Sequence, residues 1–451
     1  MTGLAVALVL LVGIALVLRW RRPAWYWLTF GVVLALVRVL ARFGSVMEAC
    51  QLTTAPSRFR IALARWCKQP MPRQRVPRIV RIKPTRTGLA LRIRMLPGQD
   101  AFEYSAAADR LRHSFTAHQV TTREIKAGIV EVVLTGYDVL RHVQLPIKAE
   151  RGLLRVPVAI REDGTVYHRN YREVPHSVNV GATKSGKSVY QRQLVKELAP
   201  QRVALVGIDC KQGVELAPMA RRFTALATDP DMAADLLCAL IDYMEDVYQV
   251  IRAEQRISAD VPDAEITADI WGLPEHLRPV PVVVTVDEVA ELALFASKLE
   301  EKRRDRIVTA LVRLAQLGRA AGIYLDIYGQ RFGSELGSGI TMLRAQLTGR
   351  TAHRVNDESS AKMVFGDISA HAVFATTQIS NARPGTVIVG DSTGGWVRAR
   401  TPHTTLRQAV NACNRHAHLT PDIPALAAFR PVLPVPALSG VVLRKPVPAG
   451  T

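Results

Sequence analysis

The stretch Gly181-Ala182-Thr183-Lys184-Ser185-Gly186-Lys187-Ser188 matches the phosphate-loop pattern G-x-x-x-x-G-K-[ST]. Glycines let the backbone wrap closely enough for successive N–H groups to face phosphate oxygens. At the last two positions, Lys187 supplies a positive charge near the β- and γ-phosphates, and Ser188 supplies a hydroxyl ligand for magnesium. We therefore predict that these eight residues bind a nucleotide.

The sequence on either side of this loop supports the prediction. Residues 177–180 have the pattern of a short strand that runs into the loop, and residues 189–198 that of a helix whose N-terminus faces the phosphates. The alternative is a chance match in a turn rich in Gly, Lys and Ser, and such a turn would not require a strand before it and a helix after it.

A second apolar run ends in two carboxylates. Residues 281–286 read Pro-Val-Val-Val-Thr-Val, which is typical of a buried parallel strand, and Asp287 and Glu288 follow at once. In phosphoryl transfer, an aspartate at such a strand end reaches the hydrated magnesium, and the adjacent glutamate polarises the attacking water. We predict this Walker B arrangement for Asp287 and Glu288. The alternative is a pair of solvated carboxylates at a strand end.

Strand and helix patterns alternate through the central part of the chain. Apolar runs and helical segments follow one another at residues 203–208, 232–257, 298–321 and 322–327. Gln330 follows the last of these runs and is expected to sense the γ-phosphate, whereas Asp326 inside that run is unusual for a core strand. The alternation predicts an α/β fold of the P-loop NTPase class, RecA-like, with a mostly parallel sheet.

Composition bounds the class of protein. The chain has 451 residues, 48% of them hydrophobic, which is enough for two or three domains and at least one large core. Its formal net charge of +20 indicates a polyanionic partner, either nucleic acid or an anionic membrane surface. The five cysteines have no paired spacing, so we expect reduced thiols on a cytosolic face and no disulfide or metal framework.

Residues 1–45 predict membrane anchoring through two apolar runs, 3–18 and 24–37, which are separated by a cluster of arginines. A helical hairpin keeps both ends in the cytoplasm but leaves that cluster outside. A single span satisfies the positive-inside tendency and leaves the second run as an interfacial helix. We expect the hairpin, because basic residues are denser still after the second run. The predicted nucleotide site would then lie on the cytoplasmic side of the bacterial cell membrane.

Residues 46–87 form a basic, proline-rich stretch, and no acidic residue occurs between Gln51 and Gln99. Its position after the membrane runs predicts a juxtamembrane linker attracted to anionic lipid, with contacts to DNA phosphates as the alternative. Residues 88–150 predict a small α+β module. The strand and helix patterns of this module lie at residues 89–95, 101–115 and 128–134.

The last two segments are predicted to be very different from each other. Residues 151–400 carry every nucleotide-site motif and form the predicted P-loop ATPase domain. Residues 401–451 are rich in proline, and beyond a helix at 406–415 we expect a poorly ordered tail without a winged helix.

Several ordered motifs resemble the FtsK/SpoIIIE family of ring-forming DNA translocases, and most of all its TraB-like plasmid-transfer members from actinomycetes. The resemblance covers about residues 150–400, more than half of the chain. Arg350 also fits a core strand of that family. The matching stretches are VPH at 174–176, the phosphate loop, IDCKQGVEL at 208–216, VTVDEVAEL at 284–292 and LAQLGRAAGIYLDIYGQR at 314–331.

The resemblance implies ATP and Mg²⁺ as cofactors, with Lys187 and Ser188 on the phosphates and the metal, and Gln330 as the γ-phosphate sensor. It also implies that Arg319 reaches into the site of a neighbouring subunit. The alternative for Arg319 is an arginine that satisfies the carbonyls of its own helix end. Double-stranded DNA and further copies of the chain, in a ring of six, are the implied partners, with pore contacts between Lys362 and Arg383.

The expected function is therefore that of a membrane-anchored, ATP-driven translocase of double-stranded DNA in conjugative transfer. Rivals within the same family are a chromosome-segregation pump and a protein-secretion ATPase. A rival from another class is a membrane-tethered binding protein whose nucleotide site only switches its conformation. The intact Glu288 argues against that last reading.

Overall fold

The computed structural model describes residues 2–56, 58–255, 267–333, 336–337, 339–391 and 394–432. The chain divides into two units, and each is described by itself. Unit 1 comprises Met1–Gln144 and Ile160–Tyr167, and unit 2 comprises Leu145–Ala159 and His168–Thr451.

The α-helices are α1 (Thr2–Arg21), α2 (Pro23–Tyr26), α3 (Val32–Ala49), α4 (Arg58–Trp66), α5 (Ala101–Ala106), α6 (Ala108–Phe115), α7 (Lys187–Leu198), α8 (Pro230–Glu254), α9 (Val289–Ala293), α10 (Lys298–Leu317), α11 (Ile340–Gln346), α12 (Glu358–Phe365), α13 (Ala370–Thr377) and α14 (Leu406–Arg415). A π-helical segment, Trp27–Gly31, joins α2 to α3.

The strands are β1 (Arg78–Pro84), β2 (Gly88–Arg94), β3 (Gln119–Lys126), β4 (Ile129–Thr135), β5 (Arg155–Arg161), β6 (Val166–Asn170), β7 (His176–Val180), β8 (Ala204–Ile208), β9 (Phe223–Ala227), β10 (Val282–Val286), β11 (Ile323–Gly329), β12 (Gly349–Ala352), β13 (Thr386–Gly390) and β14 (Trp396–Arg400).

Unit 1 contains a four-stranded antiparallel sheet in the order β1-β2-β4-β3. Strands β2 and β4 match two predicted strands, and the helix predicted over 101–115 is split into α5 and α6. Strand β1, however, lies inside the segment 46–87 that we predicted as a linker. Its isoleucines Ile79 and Ile82 pack on the core, whereas its basic residues Arg78, Arg81 and Lys83 are exposed. The high charge of this segment therefore concealed an edge strand.

The helices α2 and α3, with the π-helical segment between them, form one helical stretch, Pro23–Ala49. Among the residues whose side chains the structure describes, which leave out 1–8 at the start of α1, it is the one helix that is long and apolar enough to cross a membrane, a test that the core helix of a soluble protein also passes. The hairpin prediction requires two such helices. Arg22 separates this stretch from α1 with a non-helical backbone, and Pro23 starts the new helix.

Unit 2 is built on a ten-stranded sheet in the order β6-β5-β14-β13-β12-β7-β11-β10-β8-β9. The six strands from β12 to β9 run parallel, whereas β13 and β14 pair antiparallel at the other side. The α/β class and the mostly parallel sheet are confirmed. Apolar runs that we predicted as strands are β8, β10 and β11, each buried along its whole length.

The parallel strands direct the functional segments to one edge of the sheet. Val286 of β10 lies in register with Ile208 of β8 and Ile327 of β11, and β11 pairs in turn with β7. The phosphate loop after β7, Asp287 after β10 and Gln330 after β11 therefore share the carboxyl edge, which is where open parallel sheets bind ligands.

Asp326, the unusual acid in a core strand, is fully paired. Its carboxylate lies 3.1 Å from Nη2 of Arg169 and accepts hydrogen bonds from the hydroxyls of Tyr171 and Ser177. The guanidinium of Arg169 also stacks 4.1 Å from the centroid of the Tyr171 ring. This buried cluster joins β6 and β7 to β11 beneath the site.

Removing that carboxylate is expected to destabilise unit 2 strongly. Asp326→Ala leaves the buried Arg169 without its counter-charge, which costs on the order of 3–5 kcal/mol of unfolding free energy. The matched control is Glu245→Ala, which breaks a half-exposed pair with Arg313 and should cost less than about 1 kcal/mol. Urea unfolding measures both. Equal losses for the two variants would show that the cluster does not stabilise the fold.

The C-terminal segment is ordered further than predicted. Helix α14 matches the helix predicted over 406–415, begins with a capping box of Thr405 and Gln408, and packs against α7. Leu426 is buried in the core within the 3-10 turn Pro424–Phe429. The prediction of a poorly ordered tail was therefore wrong up to residue 432, because the prolines there shape turns that pack. Residues 433–451 lie outside the described part.

Candidate nucleotide site

The phosphate loop is held by backbone hydrogen bonds to two neighbouring segments and by close packing against a third. The N–H of Gly181 donates to the carbonyl of Gly329 (3.1 Å), and the N–H of Ala182 donates to the carbonyl of Arg354 (2.9 Å). At the other end, Gly186 has φ +103°, and a Cβ there would lie 2.4 Å from the backbone nitrogen of Gly385. Only glycine fits that position.

The loop presents groups that suit a phosphate. Ser185 is buried, and within the described part of the chain its hydroxyl has no hydrogen-bond partner. Thr183 and Lys184 are exposed at the tip of the loop, and the side chain of Ser188 is half-buried in the first turn of α7. An unpaired hydroxyl beside a helix N-terminus is the donor set that an anion requires. These residues fit the predicted nucleotide.

Lys187 and Glu288, predicted from separate motifs, are in contact. The Lys187 ammonium lies 2.8 Å from Oε2 of Glu288, and both side chains are almost fully buried. The other oxygen of Glu288 accepts the backbone N–H of Gln330 at 3.1 Å. One carboxylate thus connects the phosphate loop to the end of β11, while the side chain of Gln330 itself is exposed.

Asp287 carries the second carboxylate of the site, and it is buried. Burial raises its pKa, the charge of Asp209 raises it further, and the ammonium of Lys211 opposes both effects. That ammonium lies 3.5 Å from Asp287 and 3.7 Å from Glu288. Burial disfavours its charge, but the two carboxylates outweigh this and raise the pKa of Lys211.

Lys211 is a site residue that our sequence reasoning did not identify. It lies after β8, and the fully buried Asp209 fixes its loop by accepting the N–H groups of Lys211, Glu215 and Leu216. The signal that could have identified Lys211 is its position just after the buried strand β8, which is adjacent to β10 in the sheet. Using that signal requires the strand order, which one sequence does not reveal.

Arg319 does not lie near the phosphate loop of its own chain. Its side chain is exposed. Its positive charge is near enough to His176 and Tyr324, at the opposite edge of the sheet, to act on the pKa of both in the lowering direction. The five residues of β7 span roughly 16 Å between that edge and the loop. Among the described residues, no hydrogen bond or ion pair holds the guanidinium, which leaves it available for a contact outside the chain.

His353 is a second residue that the sequence did not single out. It is fully buried behind the loop, its ring lies 5.5 Å from the Tyr190 ring, and its Cβ would be 2.7 Å from a Cβ on Gly181. In the described structure neither ring nitrogen has a hydrogen-bond partner. Burial, followed by the charge of Lys187, lowers its pKa to about 3, so the imidazole is neutral.

These buried histidines predict a loss of stability in acid. The pKa of His176 is also lowered to about 3, by burial and then by the charges of Arg169 and Arg319. The unfolded chain takes up protons below about pH 6.5 and the folded chain does not, so stability falls as the pH drops from about 6.5 toward 3. At pH 5 each histidine should cost about 2 kcal/mol of unfolding free energy relative to pH 7.

Urea unfolding at pH 7 and pH 5 measures this loss. His353→Phe, which cannot be protonated, should remove its share of about 2 kcal/mol from the difference between the two pH values. An unchanged difference in that variant would mean that His353 does not contribute. A matched control is His418→Phe on an exposed side chain, which should leave the difference as it is in the unaltered chain.

Sequence and structure comparisons relate these features to known proteins. Residues 139–334 match the FtsK/SpoIIIE family, and residues 14–136 match the actinomycete conjugal transfer protein N-terminal domain. The transfer protein TraSA of Streptomyces ambofaciens is 68% identical over 413 residues, covering 92% of this chain and 100% of that protein. A sporulation regulatory protein of Streptomyces azureus is 52% identical over 279 residues, covering 61% of this chain and 88% of that protein.

A solved structure shows the same fold. The pCW3 conjugation coupling protein TcpA, in its monomer form with ATPγS, aligns with a TM-score of 0.54 at 18% identity. The alignment covers 83% of this chain and 98% of the TcpA chain.

Proposed function

The chain belongs to the FtsK/SpoIIIE family, and from that premise we propose that it is a membrane-anchored ATPase that translocates double-stranded DNA in conjugative transfer. The observation that carries the proposal is the contact of Lys187 with Glu288 at the carboxyl edge of the sheet. The 68% identity to a transfer protein over nearly the whole chain supports the conjugative role. The motor would work on the cytoplasmic side of the cell membrane.

ATP would bind with its phosphates on the loop and on Lys187. Magnesium, when bound, would neutralise charge on the transferring phosphoryl group, with Ser188 and Asp287 as its protein ligands. In the present structure the ammonium of Lys187 is engaged by Glu288. Phosphates would attract that ammonium, and Glu288 would then be free to accept a proton from the attacking water.

The proposed contacts with DNA need charge and no reading of bases, since a translocase moves along any sequence. The candidate pore segment between Lys362 and Arg383 comprises the end of α12 and the whole of α13. Lys362 and Phe374 are both well exposed there. An exposed cation such as Lys362 suits contacts with the phosphates of a nucleic-acid backbone.

Arg319 is proposed to complete the site of the next subunit in a ring, which would be a hexamer. A mixing experiment tests this. Lys187→Ala removes the phosphate lysine and Arg319→Ala removes the proposed finger, so each variant alone should be nearly inactive. Mixed rings contain interfaces with an intact loop and an intact Arg319, and hydrolysis should partly return. If the mixture stays as inactive as its components, Arg319 does not act in trans.

Stimulation of ATP hydrolysis by long duplex DNA tests the proposed function. The full chain in detergent should hydrolyse ATP several-fold faster with duplex than without it, because a translocase couples hydrolysis to movement along bound DNA. The full chain is needed because α3 forms part of the unit 1 core. Hydrolysis that is indifferent to nucleic acid would exclude the DNA role and favour a protein-secretion ATPase.

A further inference from the structure

One side of the helix Pro23–Ala49 is buried in the core of unit 1. Within an unbroken α-helix, Trp27 and Val39 would point about 120° apart, but the extra residue of the π-helical segment reduces this to about 20°. The two side chains therefore share one side of the helix. The residues buried on this side are Trp27, Gly31, Val39, Phe43, Val46 and Met47.

Both ends of the helix Pro23–Ala49 contact other residues of unit 1. Near the start, the indole N–H of Trp27 donates to the carbonyl of Thr85 (3.1 Å), and its ring covers Gly136 so closely that a Cβ there would lie 2.1 Å away. Further along, the guanidinium of Arg38 donates to the carbonyl of Phe115 (3.3 Å), and Met47 is fully buried. From Trp27 to Met47 the helix is about 30 Å long.

That length matters because the hydrocarbon core of a bilayer is also about 30 Å thick. A spanning orientation would therefore carry the attached sheet into the hydrocarbon. The far face of this sheet carries a cross-strand row in which Arg81 lies opposite Arg92, and Arg92 and Arg123 both pair with Glu131. Exposed arginines in that row cannot be placed against lipid tails. The helix thus cannot cross while it stays packed on the sheet.

The opposite side of the helix is apolar and uncovered within the described structure. The exposed fractions of its side chains lie between 54% and 61%, at Leu28, Val33, Leu34, Val37 and Leu40. Beyond Ala41 this side becomes polar, with Arg42, Ser45 and Glu48. A helix with one packed side and one apolar exposed side needs a second apolar environment.

Lipid is the environment that the neighbouring residues favour. Helix α1, a 20-residue apolar helix, ends at Arg21, and only Arg22 separates it from Pro23, so the second helix begins where α1 would leave the bilayer. Trp20 and Trp25 are exposed at this junction, as suits aromatic rings at headgroup level. The arginines of the junction would meet anionic headgroups. They are Arg19, Arg21 and Arg22.

We propose that Pro23–Ala49 lies along the membrane surface as an interfacial helix, with its apolar side in an anionic lipid interface and its other side in unit 1. Helix α1 then provides the span, and the junction arginines stay on the same side as the sheet, as the positive-inside tendency requires. This inference rests on the proposed membrane anchoring, and it replaces the hairpin. The motor would be tethered by one span, and unit 1 would be held flat on the bilayer.

Depth measurements on the full chain in vesicles of phosphatidylglycerol and phosphatidylethanolamine test the proposal. A ketone-bearing unnatural residue at Leu28, Leu34 or Leu40, coupled to a nitroxide, leaves the native cysteines in place. Flotation of each labelled chain with the vesicles is checked first. An interfacial helix places the three labels at nearly equal, shallow depth. A label at Val80, which is 50% exposed on the edge strand β1, should then lie in water.

Other outcomes overturn the proposal. A spanning helix would spread the three depths over about 18 Å, because twelve residues separate the first label from the last. Labels in water would leave the apolar side without lipid, and labels shielded from both water and lipid would place a second protein there. A chain that does not float would overturn the membrane anchoring as well, but it would leave the ATPase and DNA proposals to their own tests.

Discussion

Lys187→Ala is expected to lower the rate of ATP hydrolysis by on the order of 10²–10³-fold, because one preorganised cation is lost from the site of charge development. In the structure the Lys187 ammonium already lies at the site, 2.8 Å from Glu288. Steady-state hydrolysis with and without duplex DNA measures the effect.

The control separates catalysis from folding. Lys196→Ala removes a half-buried lysine on the same helix that pairs with Glu197 and lies outside the loop, so hydrolysis should remain close to that of the unaltered chain. Lys187→Ala also leaves the buried Glu288 without its counter-charge, and therefore its urea unfolding is measured alongside. A folded Lys187→Ala protein that still hydrolyses ATP at the normal rate would refute the assigned role.

Glu288→Gln is expected to reduce the hydrolysis rate by about 10²–10⁴-fold while nucleotide binding persists, because an amide cannot accept the proton of the attacking water. The amide oxygen can still accept the N–H of Gln330, so the strand end should stay in place. Loss of the ion pair also releases Lys187. Equilibrium binding of ATP should therefore be at least as tight as in the unaltered chain.

The matched control is Glu291→Gln, an exposed glutamate in the adjacent helix α9. Its hydrolysis rate should be unchanged. The comparison of binding with turnover is decisive, because a residue that only supports the loop would weaken both. Turnover near the normal level in Glu288→Gln would show that another group activates the water.

The central strands were predictable because each one is a continuous apolar run that is buried on both faces. Strands β8 and β10 coincide with such runs to within a residue or two. Strand β1 was hidden because its outward basic residues dominate its composition. The packed turns near Leu426 were missed for a similar reason, since proline content describes the local chain and not its tertiary contacts.

The candidate site also contains residues that local sequence predicts and residues that only the tertiary structure reveals. The phosphate loop and the pair Asp287 and Glu288 follow from local spacing, which the chemistry of phosphates demands. Lys211 and His353 reach the site through the order of β8, β10 and β12 in the sheet. A single sequence contains no information on that order, so long-range neighbours of the loop could not be derived from it.

Displacement of a third strand from a long duplex is the measurement that tests the central claim most directly. A triplex-forming oligonucleotide is annealed far from the DNA end, and the full chain is added with ATP and Mg²⁺. The account predicts release of the oligonucleotide that requires ATP and is lost in Lys187→Ala. Duplex-stimulated hydrolysis without any release would contradict it, because the protein would then bind DNA and hydrolyse ATP without moving along the duplex.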